Sequence, residues 1–138
     1  MQRAGQSYSS GEWLVRAGSE EEFVDRWNAF IEWTADNAAG AESFVLVRST
    51  EEPRRFLSLG AWESQEAQDA WREMPRMQEL LGRCRQLCEE FGSHSYALAA
   101  RACYELGQKP HRNADSTFDL VPSRSPFSAY LSCLLSSS

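Results

Sequence analysis

Four tryptophans, Trp13, Trp27, Trp62 and Trp71, offer most of the chemistry visible in this sequence. Flat indoles can stack on an aromatic small molecule and exclude water, and a dry site suits carbanion chemistry with dioxygen. Phe30 falls on the same helical face as Trp27 and joins the candidate substrate-binding set of Trp13, Trp27, Phe30 and Trp71. Ordinary core packing would use these same positions. Trp33 lies off the main apolar face and fits a pocket rim or a dimer contact. Polar groups beside the aromatics are few. Ser58 shares a strand face with Phe56 and Trp62. If that face looks toward the helices, the Ser58 hydroxyl can hold a substrate oxygen. Trp62 and Ser58 are therefore the candidate catalytic pair.

Other reactive side chains have simpler explanations. Asn28 meets the inner helix face only obliquely, which suits solvent. His94 could act as a base near neutrality, but nothing around it forms a motif, which fits a structural role. Cys84 and Cys88 are four residues apart and could face one metal. Their place in an apolar stripe with Leu80, Leu81 and Phe91 reads instead as buried thiols. The run Glu20, Glu21, Glu22 complements a helix N-terminus. No phosphate loop, nucleophile elbow or zinc-ligand spacing occurs, so neither a metal nor a cofactor is expected.

The elements that would position these residues follow from periodicity. Residues 8–16 read as a strand, with Trp13 and Val15 on one face. Ser19 and Glu22 have capping-box spacing, and Phe23, Trp27, Phe30, Ile31 and Thr34 form one helical face that Gly40 closes. Residues 43–49 and 56–62 read as a hairpin around Pro53. Ser64 can cap a second helix with Ala67, Ala70, Trp71 and Met74 inward. Pro75 interrupts that helix and suits the first turn of its continuation. The continuation is expected to carry Met77, Leu80, Leu81, Cys84, Cys88 and Phe91 inward and to stop at Gly92. Residues 93–101 read as a fourth strand. This order predicts an α+β, ferredoxin-like β-α-β-β-α-β subunit, an antiparallel sheet with helices on one face.

The strands are apolar on both faces, Val45 and Val47 backing onto Phe44 and Leu46. The face away from the helices then needs its own cover, most simply a second copy of the chain, which predicts a homodimer. The chain has 138 residues and a net charge of −6. Residues 1–102 hold 11 basic and 17 acidic side chains and residues 103–138 hold 3 of each, so the excess is in the folded part. An acidic domain repels phosphate backbones, which disfavours nucleic acid. No apolar run approaches the ~20 residues that span a bilayer, and the first ten residues are polar, so no membrane is expected and the setting is read as cytoplasmic. Four cysteines without a CxxC pair suit a reducing compartment. Residues 103–138 contain eight Ser and three Pro. They read as a flexible tail after a domain over 1–102, with a short apolar stretch at 127–135 that could form an amphipathic helix.

The string Gly11-Glu12-Trp13-Leu14-Val15-Arg16-Ala17-Gly18, followed by Glu20-Glu21-Glu22-Phe23, resembles the start of the antibiotic biosynthesis monooxygenase family. Glu52-Pro53-Arg54-Arg55-Phe56 through Gly60-Ala61-Trp62-Glu63-Ser64, with Glu66, Ala67 and Trp71, resembles its hairpin and second helix. The resemblance covers residues 9–102. It implies a dimeric α/β barrel with a pocket between helices and sheet, and cofactor-independent oxygenation of an aromatic small molecule. The alternative is a non-catalytic binding or interaction dimer on the same fold. Trp62 matches the tryptophan of the polyketide-oxygenating branch. Where that branch has Asn, Tyr and Arg, this chain has Ser58, Gln68 and Leu81. Trp71 matches a tryptophan of the haem-degrading branch. The axial histidine of that branch falls near Leu81 and its asparagine near Gly11, so haem degradation is not implied.

Overall fold

The computed structural model describes residues 6–102. Its strands are β1 (Ser7–Val15), β2 (Ala41–Arg48), β3 (Arg55–Trp62) and β4 (Cys88–Ala97), and its helices are α1 (Glu20–Asn37), α2 (Gln65–Arg72) and α3 (Pro75–Arg85). The four strands form one sheet in the order β2-β3-β1-β4, and every neighbouring pair is antiparallel. β1 and β2 are thus parallel and separated by β3, with α1 as the crossover. β3 and β4 are related in the same way through α2 and α3. This is the ferredoxin-like α+β arrangement, with the second helix in two pieces. Pro75 causes the break. It stands at the start of α3, where its missing amide costs nothing, while Met74 before it is extended.

All three helices contribute to the core on one sheet face. Phe23, Trp27 and Phe30 of α1, Trp71 of α2, and Met77, Leu80 and Cys84 of α3 pack against Trp13, Val15, Phe56 and Trp62. Ser64 caps α2 as expected, its hydroxyl accepting from the Ala67 amide at 3.1 Å. Ser19 does not form a capping box. Its side chain makes no cap bond, and the Glu20 carboxylate instead reaches back to the Gly18 amide at 2.9 Å. α1 ends where Ala38 turns extended, and Gly40, at φ 86°, follows in the turn to β2.

The largest departure from expectation is the end of α3. The helix stops at Arg85, and Cys88 and Phe91 belong to β4, with Gly92 in mid-strand. The pairing explains the misreading. Leu14 faces Glu90 while Val15 faces Cys88, so Glu89 is an extra residue in a bulge. The bulge sends both Cys88 and Phe91 toward the core, although residues three apart on a regular strand face opposite ways. A three-residue apolar interval therefore imitates a helix. Ala70 is another correction. It is exposed, and the buried positions of α2 are Gln68 and Trp71.

The opposite sheet face carries the cross-strand pairs Val47–Leu57 and Val45–Leu59, with Tyr96 beside Tyr8. Val47, Leu57, Leu59 and Tyr96 are exposed. Among the described residues, no helix is long and apolar enough to cross a membrane. The segment expected to form a tail, with its apolar stretch at 127–135, lies outside the described residues.

Candidate functional site

The helix-facing side of β1 and β3 is the floor of an aromatic cavity. Strand alternation brings Ser9, Gly11 and Trp13 of β1 up beside Ser58 and Gly60 of β3. Two glycines make this floor possible. A Cβ on Gly11 would stand 2.7 Å from Ser58 Oγ and 2.8 Å from Trp13 Nε1, and one on Gly60 would stand 2.3 Å from the Phe44 ring. The missing side chains let the Trp13 indole and the Phe44 ring lie down against the sheet. α1 supplies Trp27, Phe30 and Ile31 as a wall, α2 supplies Trp71 and Arg72, and α3 supplies Met77 and Leu81. Phe91 and Ser93 of β4 complete the lining.

The structure thus gathers five of the six residues singled out from sequence: Trp13, Trp27, Phe30, Ser58 and Trp71. Trp62 is fully buried and lies behind the cavity, packed on Trp71 with ring centroids 4.7 Å apart and on Phe44 at 5.5 Å. Its indole N–H donates to Ser9 Oγ at 3.0 Å. Trp71 stacks on Phe30 at 5.8 Å and donates to Thr34 Oγ1 at 3.1 Å. Trp13 packs between Phe23 at 5.0 Å and Phe91 at 4.5 Å and donates to Ser58 Oγ at 3.2 Å. Each of these three indoles is fixed by a hydroxyl acceptor, which satisfies a polar group that burial would otherwise leave unpaired. Among the described residues, the Ser58 hydroxyl donates only a long bond, to the Gly11 carbonyl at 3.5 Å.

The polar end of the site was not visible in the sequence reading. Gln68 is fully buried on α2. Its Nε2 donates to Ser7 Oγ at 3.1 Å, and its Oε1 accepts from Ser95 Oγ at 2.6 Å and from Arg72 Nε and Nη2 at 3.2 and 2.8 Å. Arg72 Nη1 reaches Ser93 Oγ at 3.0 Å. Burial holds the Arg72 pKa below the usual arginine value, with Asp69 opposing the shift. One signal could have found this group. Ser64, Gln68 and Arg72 recur at four-residue intervals, and Gln68 stands three before Trp71, so both polar residues flank the buried stripe of α2.

The cavity is about 40 Å³ in volume. That holds a few waters and is well below the roughly 300–1,000 Å³ of sites that enclose a drug-sized ligand. Ile31, Phe44, Leu81 and Phe91 are its half-buried apolar lining side chains, so a ring system enters only if such side chains move. The other sequence candidates lie elsewhere. Asn28 is exposed, and His94 is exposed next to Tyr96 on the opposite sheet face. Trp33 is half-buried against the edge of the core. Cys84 and Cys88 are buried thiols, and Cys88 Sγ donates to the Cys84 carbonyl at 3.5 Å. Burial pushes Cys84 up to about 12, helped by Cys88, and Cys88 up to about 11. Among the described residues, no three His, Cys, Asp or Glu side chains are grouped to hold a metal.

The sequence profile of antibiotic biosynthesis monooxygenases matches residues 10–82. Among solved structures, the chain is similar to a mutant form of SnoaB, a cofactor-independent oxygenase from Streptomyces nogalater. The TM-score is 0.65 and the identity 14%, over 70% of this chain and 96% of that one. It is also similar to protein SO0527 from Shewanella oneidensis, with a TM-score of 0.62 and 21% identity over 71% of this chain and 95% of that one. A conserved protein from Methanosarcina mazei Go1 gives a TM-score of 0.62 at 16% identity, over 68% and 93% of the two chains. At these identities the likeness establishes the fold. A comparison with curated proteins found no match.

Proposed function

The chain belongs to the antibiotic biosynthesis monooxygenase family, and from that premise we propose that it is a cofactor-independent monooxygenase of an aromatic small molecule, working as a homodimer in the cytoplasm. The observation that carries this reading is the cavity itself. Trp13, Trp27, Phe30 and Trp71 surround a small interior space whose floor presents the Ser58 hydroxyl. In the proposed reaction an activated CH₂ of the substrate becomes a carbonyl. Two C–H bonds break, one oxygen atom of O₂ enters the product, and the other leaves as water. The substrate first loses a proton to solvent, and its carbanion then passes an electron to O₂. The protein supplies orientation between aromatic walls and a polar contact for the developing oxyanion. Ser58 suits that contact, because among the described residues its proton is held only by the long bond to Gly11. Trp62 acts from behind by fixing the plane of Trp71.

The homodimer is supported by the exposed apolar set Val47, Leu57, Leu59 and Tyr96, which a second copy would cover. The cytoplasmic setting is supported by the free thiols Cys84 and Cys88.

One observation favours the alternative of a non-catalytic binding dimer: the cavity of about 40 Å³ is too small, as it stands, for a ring system. Oxygen uptake separates the two. With anthrone, which has such a CH₂, as substrate and a chelator present, the monooxygenase reading expects consumption of O₂ above the uncatalysed rate. Ser58→Ala and Trp62→Phe should each lower that rate by about tenfold or more while the fold is kept, in line with the ~10²–10³ lost with a well-placed oxyanion donor. Ligand binding without oxygen uptake would instead establish the binding dimer.

A further inference from the structure

We propose that Arg72 is the anchor for an anionic oxygen on the aromatic ligand of this cavity, so that the site selects aromatic carboxylates, phenolates or enolates over neutral rings. Five other arginines, Arg26, Arg54, Arg55, Arg76 and Arg83, each pair with a carboxylate. Arg72 makes no such pair among the described residues. Its guanidinium is held by two neutral side chains, Gln68 and Ser93, and rests near the Trp71 ring at 5.7 Å. Three of its five N–H donors are engaged in these bonds, which leaves two for a ligand.

The bracket around it is built in depth. Gln68 is fully buried, and its amide nitrogen is committed to Ser7, so its oxygen must face Arg72 and Ser95. A buried carboxamide is costly unless every polar atom is bonded, and here the bonds hold an arginine in place at the edge of an aromatic cavity. Partial burial of a cation that has no direct ion pair, with Asp69 as a nearby but unbonded negative charge, is unfavourable, and an anionic ligand oxygen relieves it. Guanidinium–carboxylate or guanidinium–phenolate bonds are charge-assisted and about twice as strong as neutral ones. Within a domain of net negative charge, this is a cation that ligand chemistry can use. A flat ring lying along Trp71 would place its substituent oxygen at Arg72.

The inference rests on the proposed use of this cavity as the ligand site, and its test is independent of turnover. The probes are 1-naphthoate and the neutral 1-naphthalenemethanol, titrated against the full chain by tryptophan fluorescence. Wild type should bind naphthoate about tenfold or more tightly than the alcohol, and Arg72→Met should bring that ratio close to one. Ser93→Asp gives a second route. A carboxylate there stands beside Nη1, neutralises Arg72 from within, and should abolish the preference without touching the core. Equal binding of both probes by wild type, binding of neither, or a preference retained in Arg72→Met would each overturn the proposal. Oxygen uptake that is unaffected by Arg72→Met would remove Arg72 and leave the monooxygenase. An Arg72-dependent preference for the anion without any oxygen uptake would do the reverse.

Discussion

The two faces of the sheet are built from alternate residues of the same strands, yet they have opposite fates. On β3, Phe56, Gly60 and Trp62 are buried beneath the helices, while Leu57 and Leu59 on the other side are exposed. On the covered face three indoles have a hydroxyl partner: Trp13 with Ser58, Trp62 with Ser9, Trp71 with Thr34. On the open face the pairs Val47–Leu57 and Val45–Leu59 have only aliphatic surface to offer. The contrast teaches that enclosure, rather than hydrophobicity, marks the site. A ligand pocket needs apolar walls with polar groups at fixed points, and the covered face has them. The other face has the composition of a contact surface.

This contrast can be broken by experiment. The largest effect should come from Trp62→Ala on the covered face. Removing a fully buried indole and stranding Ser9 should cost about 3–5 kcal/mol of unfolding free energy. A loss below about 1 kcal/mol in urea denaturation would show that the covered face is not a close-packed core.

A smaller effect should appear with pH. The folded-state thiol values of Cys84 and Cys88, about 12 and 11, stand above the ordinary value of 9.0. The folded chain therefore keeps its thiol protons longer than the unfolded chain does. Stability from this source is complete below pH about 9 and falls as pH rises from there toward the folded values. In a background with Cys103 and Cys133 replaced by Ser, urea midpoints should be flat from pH about 7 to 8.5 and decline by about pH 10. Cys84→Ala should remove part of that decline. Both thiols should also resist a thiol-specific reagent at about pH 8 until denaturant is added.

The smallest effect on folding should come from the open face. Leu59→Glu should change the unfolding free energy of a subunit by about 0.5 kcal/mol or less, as surface changes do. It should nevertheless convert a dimer to a monomer in light scattering, because a desolvated carboxylate at the contact is costly. A wild-type protein that is already monomeric at micromolar concentration would end the dimer proposal and leave that face without an assigned role.

Much of this molecule was determined by its sequence alone. The periods of the apolar residues in residues 8–16, 20–37 and 56–62 select strand, helix and strand, because burial rewards one face of each. Pro75 breaks the second helix because proline has no amide to donate. Ser64 caps α2 because its hydroxyl meets the Ala67 amide. These are local effects, so local reading finds them. The aromatic set converged as well, since Trp13, Trp27, Phe30 and Trp71 each lie on an inward face that any packing of these elements must bury.

Tertiary structure decided the rest. The bulge at Glu89 depends on the pairing of β4 with β1, and without that partner the interval from Cys88 to Phe91 is indistinguishable from a helical one. The capping box at Ser19 is absent because its two groups are engaged elsewhere: the Ser19 amide donates to the Arg16 carbonyl at 3.0 Å and the Glu22 carboxylate accepts from Arg26, partners that only the final backbone settles. Gln68 and Arg72 look like ordinary surface residues of a short helix. They become a polar bracket only because Ser7, Ser93 and Ser95 arrive from two strands distant in sequence. Buried polar groups are chosen by their partners, and partners contributed from across the fold are set by the pairing of strands rather than by any pattern within one segment.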